Sequence, residues 1–247
     1  MIPIHDNNPT HRWPVVTVSL IVICILVFFW QVSLGPRGAA AAVYSLGFIP
    51  ARLLTDASLP PELALVPAGA TVFTSMFLHG SFMHLAGNML YLWVFGNNIE
   101  DVCGHVRFLL FYLLCGVAAA LAQALPNPTS EVPMIGASGA VSGVLGAYLL
   151  LFPHARVRVL IPFFIFWVYE IPAGWLLGFW FVFQLLSGLG SDPTQPGVAF
   201  WAHIGGFVAG MVLIFVFRDR RFKVGGGRRA SVRGRSRIPP TRSGPWR

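Results

Sequence analysis

Four side chains in this 247-residue chain have types and spacings that could do nucleophilic chemistry inside an apolar environment. Ser138 lies in "IGASGAVSGVLGAY", among small residues at the head of an apolar run, and His203 stands near the start of another, "AHIGGFVAG". His84 and Asn88 are four residues apart, so on a helix they project from one side. A serine hydroxyl beside an imidazole is a nucleophile with its general base. A histidine and an asparagine are hydrogen-bond donors suited to the oxyanion that an attack on a carbonyl creates.

What must position these groups is a set of membrane helices. The chain is 55% hydrophobic and 11% charged, against about 25% charged for a typical soluble domain. Apolar runs near the roughly 20 residues needed to cross a bilayer predict spans at about 15–34, 72–96, 106–125, 138–152, 171–188 and 198–217. The expected fold is an all-α polytopic membrane protein of six transmembrane helices. Residues 1–14 form a cytoplasmic N-terminal segment, 15–217 the helical domain and 218–247 a basic tail. The first run is too long for a secretory signal core, so it reads as a retained span.

Orientation follows from the arginines. With the N-terminus in the cytoplasm, Arg12, Arg107, Arg156, Arg158 and the tail face inward, and only Arg37 and Arg52 lie outside. The first loop, 35–71, is apolar enough ("YSLGFIPARLL", "ELALVPAG") to lie on or slightly within the outer leaflet. The segment "HARVRVLIPFFIFW" reads as re-entrant or interfacial. No internal repeat and no second domain is legible.

Counting from the cytoplasmic ends at 1.5 Å per residue puts Ser138 and His203 about 8 Å below the outer face, and His84 roughly 10 Å below it. Three capable groups from three helices thus share one depth, and polar groups inside spans are costly enough to signal function. Gly139, Gly143 and Gly146 face the fourth span's neighbour, and Gly206 and Gly210 form a small-xxx-small pair after His203. Such faces let two helices approach until the serine oxygen reaches the ring. His79, five residues before His84, is expected to point elsewhere, near the surface.

With these residues in view, the sequence resembles the rhomboid intramembrane serine proteases. "HGSFMHLAGN" (79–88), "GASG" (136–139) and "AHIGGFVAG" (202–210) match that family's signatures in order, as do "FGNNIED" after the second span and the helix count. The resemblance covers about residues 40–217. It implies that Ser138 is the nucleophile, that His203 is the general base, and that His84 and Asn88 line the oxyanion site. It implies single-pass transmembrane proteins as substrates, cut near the outer surface. Gly136 and Gly139 would let backbone approach the substrate. His79, on its position alone, is either a satisfied surface histidine or a supporting group that holds water near the site. The first loop lacks the Trp-Arg pair of some members. The position four after the nucleophile, often an aromatic stacked on the base, is Ser142, so ring packing on His203 must come from elsewhere, Trp201 or Phe207 being the candidates.

No Asp or Glu falls within the apolar part of a predicted span; Glu100 and Asp101 follow the second and Glu170 edges the fifth. That favours a Ser-His dyad working through an acyl-enzyme. Glu100 is expected to tie the cytoplasmic end of the second span to neighbouring backbone. No cofactor and no metal is expected. Ligation of haem or a metal by His84 and His203 would leave Ser138 and Asn88 without a role, and a transporter would show repeated halves. A catalytically inactive relative that binds transmembrane clients is the alternative within the same fold.

Eleven of the 17 Lys and Arg lie from Arg218 onward, in a Gly/Ser/Pro/Arg-rich stretch that reads as disordered. Beside a membrane helix such a segment attracts anionic lipid, and no nucleic-acid partner is expected. Cys24, Cys103 and Cys115 show no metal spacing and read as packing residues or free thiols. Compactness without an organellar presequence points to a bacterial inner membrane.

Overall fold

The computed structural model describes residues 1–163, 165–191, 197–225 and 227–228, without the side chains of residues 162, 163, 165, 166, 227 and 228. The chain runs β1 (Ile2–Asp6), α1 (Val15–Ser33), α2 (Gly35–Leu46), α3 (Pro50–Leu54), α4 (Ala68–Thr74), α5 (Phe82–Cys103), α6 (His105–Ala124) and α7 (Ser138–Leu151). It continues with β2 (Arg156–Phe163), β3 (Ile165–Pro172), α8 (Ala173–Leu189), α9 (Phe200–Phe217), β4 (Phe222–Lys223) and β5 (Gly227–Arg228). The molecule is thus a mostly helical bundle. Three of the described helices, α1, α6 and α9, are both long and apolar enough to cross a bilayer by themselves. Large apolar side chains are exposed all around the bundle, among them Leu26, Phe29, Leu114, Phe183 and Val216. That is the surface of a protein solvated by lipid.

The centre is α7. Nearly every residue from Gly139 to Leu151 is buried, as expected for a helix apolar on all sides. At 14 residues it is about 21 Å long, some 9 Å short of a bilayer core. It is therefore too short to cross a bilayer core by itself. α9 lies along α7 with backbone against backbone. A Cβ on Gly206 would meet the carbonyl oxygen of Gly139, one on Gly210 would meet that of Gly143, and one on Gly146 would meet that of Phe207. Any larger residue at these positions would push the two helices apart.

α1 buries a single stripe, Thr17, Leu20, Cys24, Phe28 and Gln31, spaced as one helical face, and leaves the rest to lipid. Its N-terminus is held by Glu100. That fully buried carboxylate accepts from the backbone N–H of Val16 (2.9 Å) and Thr17 (2.8 Å) and from the Thr17 hydroxyl (2.7 Å), while His105 Nδ1 lies 2.6 Å away. An anion there meets the unsatisfied donors and positive end of the helix.

The expected second span, 72–96, is displaced in the structure. Residues 68–77 form α4 and a 3-10 turn, Leu78 is extended, and Ser81 caps a new helix by accepting from the His84 N–H (3.1 Å). The helix then runs through Asn97, Asn98, Glu100 and Asp101 to Cys103. These polar residues are not a water-facing end, and Glu100 and Asp101 lie within the helix rather than after it. They are buried against the N-terminal segment: Asn98 Nδ2 donates to the Asn8 carbonyl (3.0 Å), and Asp101 accepts from the His11 N–H (3.2 Å).

In the segment "HARVRVLIPFFIFW", Arg156–Phe163 form β2 and Ile165–Trp167 begin β3, which pair with each other, and β1 adds in the order β1-β2-β3, all antiparallel. Val157 and Val159 point inward while Arg156 and Arg158 point out, the alternation of a half-buried strand. Arg158 pairs with Glu170 directly across the hairpin (3.1 Å), so Glu170 belongs to β3 and not to the fifth helix. The disordered basic tail expected at 218–247 falls largely outside the described residues.

Asp6 fastens the first strand to the bundle. Its carboxylate is buried and accepts from the Tyr148 hydroxyl of α7 (2.5 Å). Burial raises its pKa from 3.8 to about 7, against the opposing pull of the Tyr148 hydrogen bond. The folded form therefore holds a proton that the unfolded chain releases near pH 4, and the stabilisation present below that value is lost as pH rises to about 7. The melting temperature of the wild type should fall relative to that of Asp6→Asn between pH 5 and pH 8. A difference between the two that stays constant with pH would contradict this account.

Candidate active site

A cavity of about 580 Å3 opens at the head of α7 and is lined by Ser138, His203, His84 and Asn88 together with Tyr91 and Trp180. Four helices contribute: α7 the serine, α9 the histidine, α5 the His-Asn pair and α8 the tryptophan. The close α7–α9 approach at Gly139 and Gly206 lies one residue beyond the serine and three beyond the histidine. Gly139 also lies against Ala119 of α6, where a Cβ would come within 2.5 Å.

The strand of chain leading to Ser138 is fixed from both sides. Phe48 and Met134 exchange backbone hydrogen bonds (3.0 and 2.7 Å), and the Gly136 N–H donates to the Ser75 carbonyl (2.9 Å). Ser138 is the first residue of its helix, where backbone N–H groups have no intrahelical acceptor. Its own N–H thus stands beside its hydroxyl at the positive end of a helix dipole. Ser142 lies one turn on and donates to the Ser138 carbonyl (2.6 Å), which is packing rather than chemistry.

The donors lie opposite. Asn88 Nδ2 is buried and makes no hydrogen bond within the protein, so it is free to serve a group in the cavity. His84 Nδ1 accepts from the Gly80 N–H at 3.4 Å, which assigns the ring proton to Nε2. Gly136 makes room for both side chains. Its φ is +121°, and a Cβ would fall 2.7 Å from His84 Nε2 and 3.7 Å from Asn88 Nδ2. Glycine is required twice over here, for conformation and for space.

His79 is not at the surface. It is 2% exposed, its backbone N–H donates to Gln31 Oε1 of α1 (3.0 Å), and its ring lies edge-on to that of His84 with centroids 5.2 Å apart. It precedes α5, so the five-residue offset of a helix does not govern its direction. It backs His84 rather than lining the cavity.

His203 rests on neither Trp201 nor Phe207. The Trp180 ring of α8 lies 5.8 Å from its own, tilted by 36°, and Phe207 stacks in turn on Trp180 (6.0 Å) and Phe181 (4.6 Å). His203 Nδ1 lies 2.7 Å from Gln184 Oε1 of the same helix. Neither Trp180 nor Gln184 stood out as a site residue in the sequence. The signal was present: Gln184 is the one polar amide in an apolar span, an expensive placement, and it follows Trp180 by four residues.

Fold and cavity together define a polytopic helical membrane protein with a serine, an imidazole and two amide or imidazole donors around one recess. The particular family follows from comparison. Residues 68–220, more than half of the chain, match the family described as the Rhomboid domain. Relatives include "Rhomboid protein 1, mitochondrial" of Saccharomyces cerevisiae, 29% identical over 151 residues (60% of this chain, 41% of the relative). "RHOMBOID-like protein 4" of Arabidopsis thaliana is 34% identical over 153 residues (62% and 35%). "Rhomboid protease GluP" of Bacillus subtilis is 42% identical over 78 residues (32% and 15%). The chain thus spans less than half the length of these relatives. It belongs to the rhomboid family, whose members are in general intramembrane serine proteases.

Gly136→Ala should test how tightly the recess is built. The methyl group and the imidazole cannot keep their places together, so the His84 ring resonances should shift and stability should fall by roughly 1–3 kcal/mol. Unchanged resonances would mean that the loop before α7 yields instead.

Proposed function

We propose that the chain is an intramembrane serine endopeptidase that cleaves single-pass transmembrane proteins near the outer membrane face with a Ser138–His203 dyad. The observation that carries the reading is the common cavity: a helix-initiating serine and a histidine from a helix pressed against it share one recess with an unpartnered buried amide.

In this reading Ser138 Oγ attacks the scissile carbonyl carbon while His203 Nε2 takes its proton. The C–N bond then breaks, the departing amine takes that proton from the imidazolium, and an acyl ester remains on Ser138. Water, activated by the same imidazole, attacks the ester and frees the new carboxylate. The oxyanion of each tetrahedral intermediate faces the Ser138 N–H, Asn88 Nδ2 and His84 Nε2–H, donors already in place before charge develops. His79 backs the His84 ring, Gly136 leaves room for it, Gly206 allows α9 to approach α7, and Gly139 makes room for Ala119 of α6.

A substrate helix conceals its amides in its own hydrogen bonds, so cleavage favours segments weakened by Gly or Pro with small residues at the cut. Six crossings with both termini in the cytoplasm put the cavity on the exterior side, and the basic tail then meets anionic lipid on the inner leaflet. A rhomboid that only binds transmembrane clients would keep the fold without needing the serine or the buried donor.

The test compares wild type, Ser138→Ala, His203→Ala and Asn88→Ala with a fluorophosphonate probe and a model single-span substrate. Labelling and cleavage should vanish in the first two variants, and turnover should fall about 10²- to 10³-fold in the third. Equal labelling and cleavage in all four proteins would overturn the proposal.

A further inference from the structure

We propose that Gln184 is the positioning residue for His203, fixing the ring's tautomer and plane in the place that a carboxylate would take in a catalytic triad. The inference rests on the Ser138–His203 reading and adds a third member to it, supplied by α8.

Gln184 is 6% exposed, on a helix whose other buried positions are Ala173, Leu176, Leu177 and Gly188. An amide in such a helix is costly to bury unless both it and its partner are satisfied. Its Oε1 lies 2.7 Å from His203 Nδ1. An amide oxygen only accepts, so Nδ1 is the protonated nitrogen and Nε2 carries the lone pair. Nε2 is the atom that must face a serine hydroxyl to take its proton. A neutral ring free to choose would divide itself between two tautomers, one of which is useless as a base at Nε2.

The surrounding packing serves the same end. Trp180 lies four residues earlier on the same face of α8 and covers the His203 ring at 5.8 Å. Gly188, four residues later, lets the helix close on α9: a Cβ there would come within 3.3 Å of Phe200 and 3.4 Å of Ile204. α8 therefore presents to α9 a ring, an acceptor and a gap in sequence. The aromatic that Ser142 fails to supply from α7 comes instead from α8, with a hydrogen bond in addition. The acceptor is neutral, so no charge is buried among apolar side chains, and its dipole still favours the imidazolium that forms during the reaction.

The experiment uses the full-length protein in detergent or nanodiscs, with 15N-labelled histidine and with two variants. Gln184→Met keeps the shape and removes the acceptor; Gln184→Glu keeps an acceptor oxygen in either protonation state. The His203 nitrogen shifts of the wild type should report a proton on Nδ1, and those of Gln184→Met a mixture of tautomers. Gln184→Met should lower kcat and the rate of fluorophosphonate labelling by about 10- to 100-fold, the size of loss seen when a metal-bound imidazole loses its orienting partner. KM and melting temperature should stay near wild type, and Gln184→Glu should restore most of the rate.

A wild-type ring protonated on Nε2, or a Gln184→Met enzyme as fast as the wild type, would overturn the proposal. Equal losses in Gln184→Met and Gln184→Glu would overturn it too. The nitrogen shifts need no activity, so they decide this inference even if Ser138 proves unreactive, a result that would instead count against the dyad.

Discussion

The structure depends on one contact, the backbone-to-backbone packing of α7 on α9. Lipid gives no hydrophobic reward for bringing two helices together, so close approach must come from van der Waals contact between small residues. Gly206 and Gly210 of α9 press on the carbonyls of Gly139 and Gly143, and Gly146 of α7 presses on that of Phe207, while Gly139 and Gly143 turn their open sides to Ala119 and Cys115 of α6. The seam starts beside Ser138 and His203, so the helix spacing that stabilises the bundle also sets the separation of the two side chains. A bulkier seam would leave two polar residues in hydrocarbon with no shared purpose.

Around that seam the elements divide their labour. At one end of the bundle buried acids do the fastening: Glu100 holds the start of α1, and Asp6 ties the first strand to the end of α7. At the opposite end of α7 the fastening is done by main-chain bonds from Phe48 and Ser75 to the segment before Ser138. The central helix is thus held at both ends while its short length leaves room above the serine. That room is the cavity, and a hydrolytic reaction needs it for water as much as for substrate. α8 exposes Trp175, Phe179, Phe183 and Leu186 on its outer side, yet it brings Trp180 and Gln184 to the His203 ring.

Much of this was legible in the sequence. Gly-x-Ser-Gly, the His-Asn pair and the glycine pair after His203 pointed to one recess, and the structure gathers Ser138, His203, His84 and Asn88 around one cavity. Helix ends agree with the expected bounds within about two residues except in α5, whose start is set by the Ser81 cap and whose end runs on through Asn97, Asn98, Glu100 and Asp101 because the N-terminal segment gives these polar side chains partners. The hairpin at 156–172 was hidden for a related reason. An apolar run between two spans reads as membrane, and only the alternation of Val157 and Val159 with Arg156 and Arg158 marks it as strand. His79 and the covering of His203 were misread because both depend on which helix lies beside them. Spacing within one helix carries no such information.

The most direct test of the central claim is a crystal structure of the protein after reaction with a fluorophosphonate. The account predicts a phosphorus bonded to Ser138 Oγ and a phosphoryl oxygen within hydrogen-bonding distance of Asn88 Nδ2 and the Ser138 N–H, with His203 Nε2 facing the modified oxygen. An adduct on any other residue, or a phosphoryl oxygen turned away from α5 toward lipid, would contradict it.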